Sequence, residues 1–234
     1  MSQEVTYAIG DVHGEAERLE QLHKLIFERH RLLYEGKKLR IIHLGDYVDR
    51  GPDSAGVIEL LMEFPADEHT RQIALAGNHE AMMLEALSDK ASASYGHWLD
   101  NGGDKTLESY ETKGHKDVPK AHLEWLSALP TVLIDAPEKR VFVHAGLSPN
   151  SFPQERKEVH LWTRSSDFFE TAGWGGTALE GWTVVHGHTP TSDGYPDNES
   201  GYGCRINIDT GAVFGGRLTC AIFAPGEDVR FLYA

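Results

Sequence analysis

Short apolar runs alternate with segments of helical period through the first third of the chain. Val5 to Ile9 is a continuous apolar-rich run and reads as a buried strand. A helix is expected from about Glu15 to Tyr34, where Leu19, Leu22, Ile26 and Leu33 recur at helical spacing and Gly36 supplies a stop. Leu39 to Leu44 reads as a second strand, Ser54 to Phe64 as a helix ended by Pro65, and Ile73 to Ala76 as a third strand. Three strand–loop–helix units in succession predict an α/β start with a largely parallel sheet.

The stretch from His79 to about Pro130 has helical character broken by Gly96, Gly102, Gly103 and Gly114, so residues 81–130 are expected to form a helical flank or cap. Thr131 to Asp135 and Arg140 to Val143 read as a hairpin. Further strands are expected at Thr183 to Val185, Ile206 to Ile208, Leu218 to Phe223 and Val229 to Tyr233. Segments 165–181 and 191–204 are rich in Gly, Ser and Asp and are expected to be surface loops. No internal repeat interrupts this order, and 234 residues suit one domain, 1–234.

Composition narrows the function. Net charge is −14, from 22 basic and 36 acidic residues, which disfavours nucleic acid and anionic membranes as partners. Two cysteines, Cys204 and Cys220, are too few for a disulfide framework. The N-terminus lacks the pattern of a signal peptide and no apolar run has the length of a membrane span, so a cytoplasmic protein is expected.

Chemistry concentrates in five clusters that each follow an apolar run: Gly10-Asp11-Val12-His13-Gly14, Gly45-Asp46-Tyr47-Val48-Asp49-Arg50-Gly51, Gly77-Asn78-His79-Glu80, His144-Ala145-Gly146 and His186-Gly187-His188-Thr189. Strand ends are where α/β proteins build sites. Asp11 and His13, two residues apart, are placed on one side of a strand-like segment and suit Mn, Fe or Zn. A capping Asp beside a surface His fits that pair equally well. Asp46, Asp49 and Arg50 allow a carboxylate that bridges two cations, or an ordinary surface ion pair. Asn78 and His79 allow a neutral oxygen ligand beside a proton donor, or a helix cap. His43 and His186 are read as packing or supporting residues. His23, His30, His69, His97, His115, His122 and His160 are read as surface or helix-face positions.

Taken together and in order, Asp11-Val-His13, Gly45-Asp46-Tyr-Val-Asp49-Arg50-Gly51 and Gly77-Asn78-His79-Glu80 resemble the core motifs of the phosphoprotein phosphatase family of metallophosphoesterases. His144-Ala-Gly146, Leu161-Trp-Thr-Arg164, Gly187-His188-Thr-Pro190 and Ile208-Asp-Thr-Gly-Ala-Val-Phe214 resemble its small bacterial and phage branch, and the likeness spans residues 5–220. The resemblance implies an α/β (α+β) fold of two facing mixed β-sheets flanked by helices, with two divalent metal ions at one edge. It implies Asp11, His13 and Asp46 on one metal, and Asp46, Asn78, His144 and His188 on the other. His79 would be the general acid, oriented and charged by Asp49. Arg50 and Arg164 would grip phosphate oxygens, which paired guanidinium donors match and Lys does not. Mn is the expected metal, with Fe or Zn as alternatives.

The expected substrate is a phosphorylated protein or small phosphate ester, foremost phosphoserine or phosphothreonine. The rival is a symmetrical dinucleoside polyphosphate, whose hydrolases resemble the same early motifs but tend to carry Asp where Glu80 stands. A silent metal-binding scaffold would not need His79, Asp49, Arg50 and Arg164. The loops 165–181 and 191–204 are expected to line the approach to the metals, with Trp174, Trp182, Tyr195 and Tyr202 as substrate contacts or loop anchors.

Overall fold

The computed structural model describes residues 4–65 and 67–234. The first half builds β1 (Glu4–Ile9), α1 (Ala16–Leu33), β2 (Lys38–His43), α2 (Ser54–Met62), β3 (Thr70–Ala74) and α3 (Asn78–Ser88). The cap follows as α4 (Ala93–Trp98), a π-type turn over Leu99–Gly103, α5 (Asp104–Thr112) and α6 (Lys120–Ser127). The second half contributes β4 (Val132–Asp135), β5 (Arg140–Val143), α7 (Lys157–Trp162), α8 (Ser166–Phe169), β6 (Thr183–His186), β7 (Asp197–Ser200), β8 (Cys204–Asn207), β9 (Thr219–Phe223) and β10 (Arg230–Tyr233).

Among the described residues these strands form two five-stranded sheets, in the orders β10-β9-β1-β2-β3 and β4-β5-β6-β8-β7. β1, β2 and β3 are parallel, with Ile9 opposite His43 and Ile42 opposite Ile73. β5, β6 and β8 are also parallel, with Phe142 opposite Val185 and Val185 opposite Ile206. The remaining pairings are antiparallel, so both sheets are mixed, as expected.

Among the described residues three apolar cores hold the layers together. Ala8, Ile42 and Leu44 of the first sheet meet Phe142, Val185 and Ile206 of the second in the core between the sheets. On the outer face of the first sheet Val5, Tyr7, Ile9 and Ile41 pack against Leu19, Leu22 and Ile26 of α1 and Ile58 of α2. Val141, Val143 and Val184 pack outward against Phe168 and Trp174. Burial on both faces explains why these strands are continuous apolar runs and not alternating ones. No helix among the described residues is long and apolar enough to cross a membrane.

Three local expectations are corrected. Segment 191–204 is not wholly loop, because Asp197–Ser200 forms the edge strand β7. Its side chains are all polar, so no apolar signal marks it; Arg205 on β8 anchors it by pairing with Asp197 at 2.6 Å and Glu199 at 3.1 Å. Segment 165–181 contains α8 and a 3-10 turn at Thr171–Trp174, and Trp174 is fully buried, an anchor and not a substrate contact. His23 and His160 are buried, not surface: His23 Nε2 lies 3.0 Å from His43 Nε2, and His160 Nδ1 lies 2.8 Å from Thr131 Oγ1.

Candidate metal centre

All six parallel strands end on the same edge of the sandwich, and the polar clusters sit just beyond them. Asp11 and His13 follow β1, Asp46 to Arg50 follow β2, Asn78 and His79 open the helix after β3, His144 follows β5 and His188 follows β6. The backbone is bent hard there. His13, Asp46, Asp49, Arg50 and His188 all have positive φ, between 43° and 72°, a conformation that costs energy in residues other than glycine and gathers at functional sites. Asp11 and His13 therefore do not share a strand face, as their spacing had suggested; a turn presents them.

Asp46 is the hub. Its Oδ2 lies 3.3 Å from His13 Nε2 and 4.0 Å from His79 Nε2, while its Oδ1 lies 3.3 Å from His144 Nε2. Two sets of candidate ligands result, His13–Asp46–His79 and Asp46–His144–His188, each with ligand atoms within 4.8 Å of one another. Asn78 Oδ1 joins the second set, 2.9 Å from His144 Nε2 and 2.8 Å from His188 Nδ1. Asp11 enters neither set. Its carboxylate accepts the backbone N–H of His188 at 3.0 Å, which ties the end of β1 to the end of β6. Gly187 makes that approach feasible, because a Cβ there would collide with the Asp11 carboxylate.

The donor set fits cations. His144 Nδ1 faces the Leu44 carbonyl at 3.1 Å and carries the proton. Burial lowers the His144 pKa to about 4, so at neutral pH its Nε2 is a lone pair. That lone pair faces two oxygens, Asn78 Oδ1 and Asp46 Oδ1, with no proton between them. His13 sets Nδ1 on the Val48 carbonyl at 2.9 Å and turns Nε2 toward Asp46; burial would lower its pKa, but the Asp46 carboxylate raises it above the ordinary value. Burial lowers the His188 pKa to about 3. Burial alone would raise Asp46, but His144, His79 and His13 bring it well below the ordinary carboxylate value. Burial, then Asp209 and Asp46, push Asp11 well above that value. Converging lone pairs and crowded buried carboxylates are what divalent cations neutralise.

Around this hub the remaining predicted residues assemble. His79 Nδ1 lies 2.7 Å from Asp49 Oδ2. Arg50 Nη1 donates to His13 Nε2 at 2.8 Å, and Arg164 Nε donates to His188 Nε2 at 3.1 Å, so each guanidinium rests against one edge of the centre.

Five supporting residues were not among the predicted site residues. Trp98 Nε1 donates to Asp49 at 3.0 Å and Thr106 Oγ1 donates to its Oδ1 at 2.7 Å, so the helical cap grips the partner of His79. Gly102 lets the cap come this close: its carbonyl accepts Arg50 N at 3.1 Å, and a Cβ there would stand 2.7 Å from that nitrogen. Glu80 is fully buried and accepts the backbone N–H of Asp46, Tyr47 and Gly77 at 2.7–2.8 Å and of Val48 at 3.3 Å. Burial, then Asp46, raise its pKa to about 7. It splints the loops after β2 and β3, so its identity bears on loop geometry before it bears on substrate. Asp209 lies buried beyond β8, its pKa raised to about 6 by burial. Like the five clusters it follows an apolar run, the signal that could have marked it.

The calcineurin-like phosphoesterase family model matches residues 5–217. The chain belongs to that family. This phosphoesterase is 32% identical over 225 residues to serine/threonine-protein phosphatase 1 of Salmonella typhimurium, covering 92% of this chain and 90% of the relative. It is 28% identical over 233 residues to the asymmetrical bis(5'-nucleosyl)-tetraphosphatase PrpE of Oceanobacillus iheyensis, covering 94% and 89%. The dinucleotide hydrolase named among these relatives carries the asymmetrical designation. A crystal structure of a metallophosphoesterase from Sphaerobacter thermophilus superposes with a TM-score of 0.54 at 21% identity, over 98% of this chain and 88% of that one.

Proposed function

We propose that this phosphoesterase hydrolyses phosphate monoesters on serine and threonine side chains of proteins, by in-line attack of water on phosphorus. The observation that carries the reading is the His79–Asp49 pair standing 4.0 Å from the hub carboxylate of Asp46. An alkoxide is a poor leaving group, so a monoester of serine needs a proton donor at the leaving oxygen. His79 fills that role: Asp49 takes Nδ1 and leaves Nε2 turned toward the centre.

Asp11, His13 and Asp46 would hold one divalent cation, and Asp46, Asn78, His144 and His188 a second, most suitably Mn, with Fe or Zn as alternatives. Bound there, the pair supplies activation of water at neutral pH and neutralisation of charge on the transferring phosphoryl group. Arg50 and Arg164 donate to the phosphate oxygens from opposite edges and align the ester for attack. Neither cysteine is needed as a nucleophile, and no phosphoenzyme forms.

A second reading, a dinucleoside polyphosphate hydrolase, is favoured by the PrpE relative. A rate panel with Mn²⁺ separates the two: phosphoserine, phosphothreonine and phosphotyrosine peptides against diadenosine tetraphosphate. Higher kcat/KM on phosphoserine and phosphothreonine peptides is expected. A strong preference for the dinucleotide overturns the substrate assignment and leaves the chemistry intact.

A further inference from the structure

The loop 208–218 joins β8 to β9 at the same edge as the candidate metal centre. β8 runs parallel to β6, and β9 starts beside the end of β1, with Cys220 opposite Ile9. The loop is braced from within. Thr210 Oγ1 donates to the Arg217 carbonyl at 2.6 Å, Gly216 N to the Gly211 carbonyl at 2.9 Å, and Arg18 Nη1 of α1 to the Gly216 carbonyl at 2.6 Å. Two side chains project from it. Phe214 is 66% exposed, and its ring centroid lies 5.7 Å from the Arg50 guanidinium. Arg217, three residues on, lies over the rings of Tyr195 and Tyr233, 4.4 and 5.3 Å from their centroids.

The surroundings of Arg217 are unusual for this chain. Its Nη2 donates to Tyr195 Oη at 3.2 Å and its Nη1 to the Gly194 carbonyl at 3.4 Å. Among the described residues these are the guanidinium's only polar partners, and neither is a carboxylate, although the chain carries a net charge of −14. Arg50 and Arg164 are held in the same manner, on His13 and Phe214 and on His188. A guanidinium fixed by neutral partners is oriented in advance and keeps its charge for an incoming anion. Arg50 and Arg164 have the reacting phosphate to meet. Arg217 stands on the same edge with no such group yet assigned, and Tyr195, itself 52% exposed, holds it open to the approach.

We propose that Arg217, presented by Tyr195 and Tyr233, is a subsite for a second anionic group on the substrate. The inference rests on the protein-phosphatase reading given above, under which that group is an Asp or Glu side chain flanking the phosphorylated serine or threonine. An extended peptide advances roughly 3.3 Å per residue, so a flanking side chain can lie on the rim while the phosphate sits at the centre.

The test places Asp and then Asn at each flanking position of a phosphoserine peptide in turn and compares kcat/KM, with Mn²⁺, within each pair. In the wild type Asp is expected to exceed Asn by about threefold or more on one side of the phosphoserine at low salt, the scale of an ion pair strengthened by paired donors. The advantage should vanish in about 0.5 M NaCl. Arg217→Gln should bring the ratio to unity or below, because the acidic surface that remains repels a carboxylate. Arg217→Lys, which keeps the charge but not the planar fork, should retain part of it. Reading a ratio within each variant separates the subsite from changes in overall activity. Phosphopeptides hydrolysed by the wild type with Asp and Asn equivalent at every position overturn the subsite while the protein-phosphatase reading stands. A ratio that persists in Arg217→Gln overturns it too. Hydrolysis of diadenosine tetraphosphate but of no phosphopeptide overturns the protein-phosphatase reading. The subsite then survives, with a neighbouring phosphate as its anion, only if Arg217→Gln lowers kcat/KM on the dinucleotide relative to p-nitrophenyl phosphate by about threefold or more; an unmoved ratio overturns both.

Discussion

Nδ1 of His79 lies 2.7 Å from Oδ2 of Asp49, and both residues are sealed from solvent. Trp98 and Thr106 take the remaining hydrogen-bonding capacity of that carboxylate, so its orientation is set by α4 and α5 as well as by its own loop. The ring that faces Asp46 is thus held through a chain of contacts reaching into the helical cap. Replacing His79 by Ala should leave both cations bound and lower kcat on a phosphoserine peptide by roughly 10²–10⁴-fold. Near-normal turnover by His79→Ala would remove the ring as the acid.

Asp46 serves both sides of the centre, one oxygen toward His13 and the other toward His144. A shared bridge predicts a shared loss. Asp46→Ala should retain neither cation after gel filtration, measured by elemental analysis, whereas His13→Ala should retain the cation on the Asn78–His144–His188 side. Two equivalents of metal on Asp46→Ala would refute the bridging role.

How much of this was legible beforehand follows a physical divide. Asp46, Asn78, His144 and His188 could be singled out because each follows an apolar run, and parallel strands bring such ends to one edge. β1, β2, β5 and β6, buried on both faces, announced themselves as apolar runs. β7 did not, because an edge strand of Asp, Asn, Glu and Ser is held by Arg205 and not by a core. The tight packing of Trp98, Thr106 and Gly102 against Asp49 and Arg50 joins residues about fifty positions apart, and no local pattern encodes such a pairing. Burial of His23 was hidden for the same reason: its partner, His43, lies across the interface between α1 and β2.

That histidine pair carries a prediction about pH. Burial lowers the His23 pKa to about 4 and holds His43 well below its ordinary value. A depressed folded-state pKa contributes stability that is present above the unfolded value, near 6.5, and is lost as pH falls toward 4. His23→Gln keeps a polar partner for His43 but does not titrate. The wild type should therefore lose stability relative to His23→Gln between pH 6.5 and pH 4, by an amount on the order of 3 kcal/mol at the lower end. Thermal melts of both proteins across that window measure it. Parallel curves of Tm against pH would show that His23 titrates normally.

Glu80 offers the sharpest separation of architecture from chemistry. Its carboxylate accepts N–H groups from Asp46, Tyr47 and Val48 after β2 and from Gly77 before α3, and so fixes the spacing of the two loops that carry Asp46 and Asn78. Glu80→Ala leaves these buried donors without an acceptor, at a cost of about 3 kcal/mol or more. For a chain of this length that corresponds to a fall in Tm of roughly 6–12 °C. Because the loops then drift apart, cation affinity should weaken as well, although Glu80 belongs to neither set of candidate ligands. Glu80→Asp keeps the charge but is one methylene shorter, so it should fall between the two. Melting curves with and without Mn²⁺ decide the matter. If Glu80→Ala melts with the wild type in both conditions, the splint is not what holds the two loops in register.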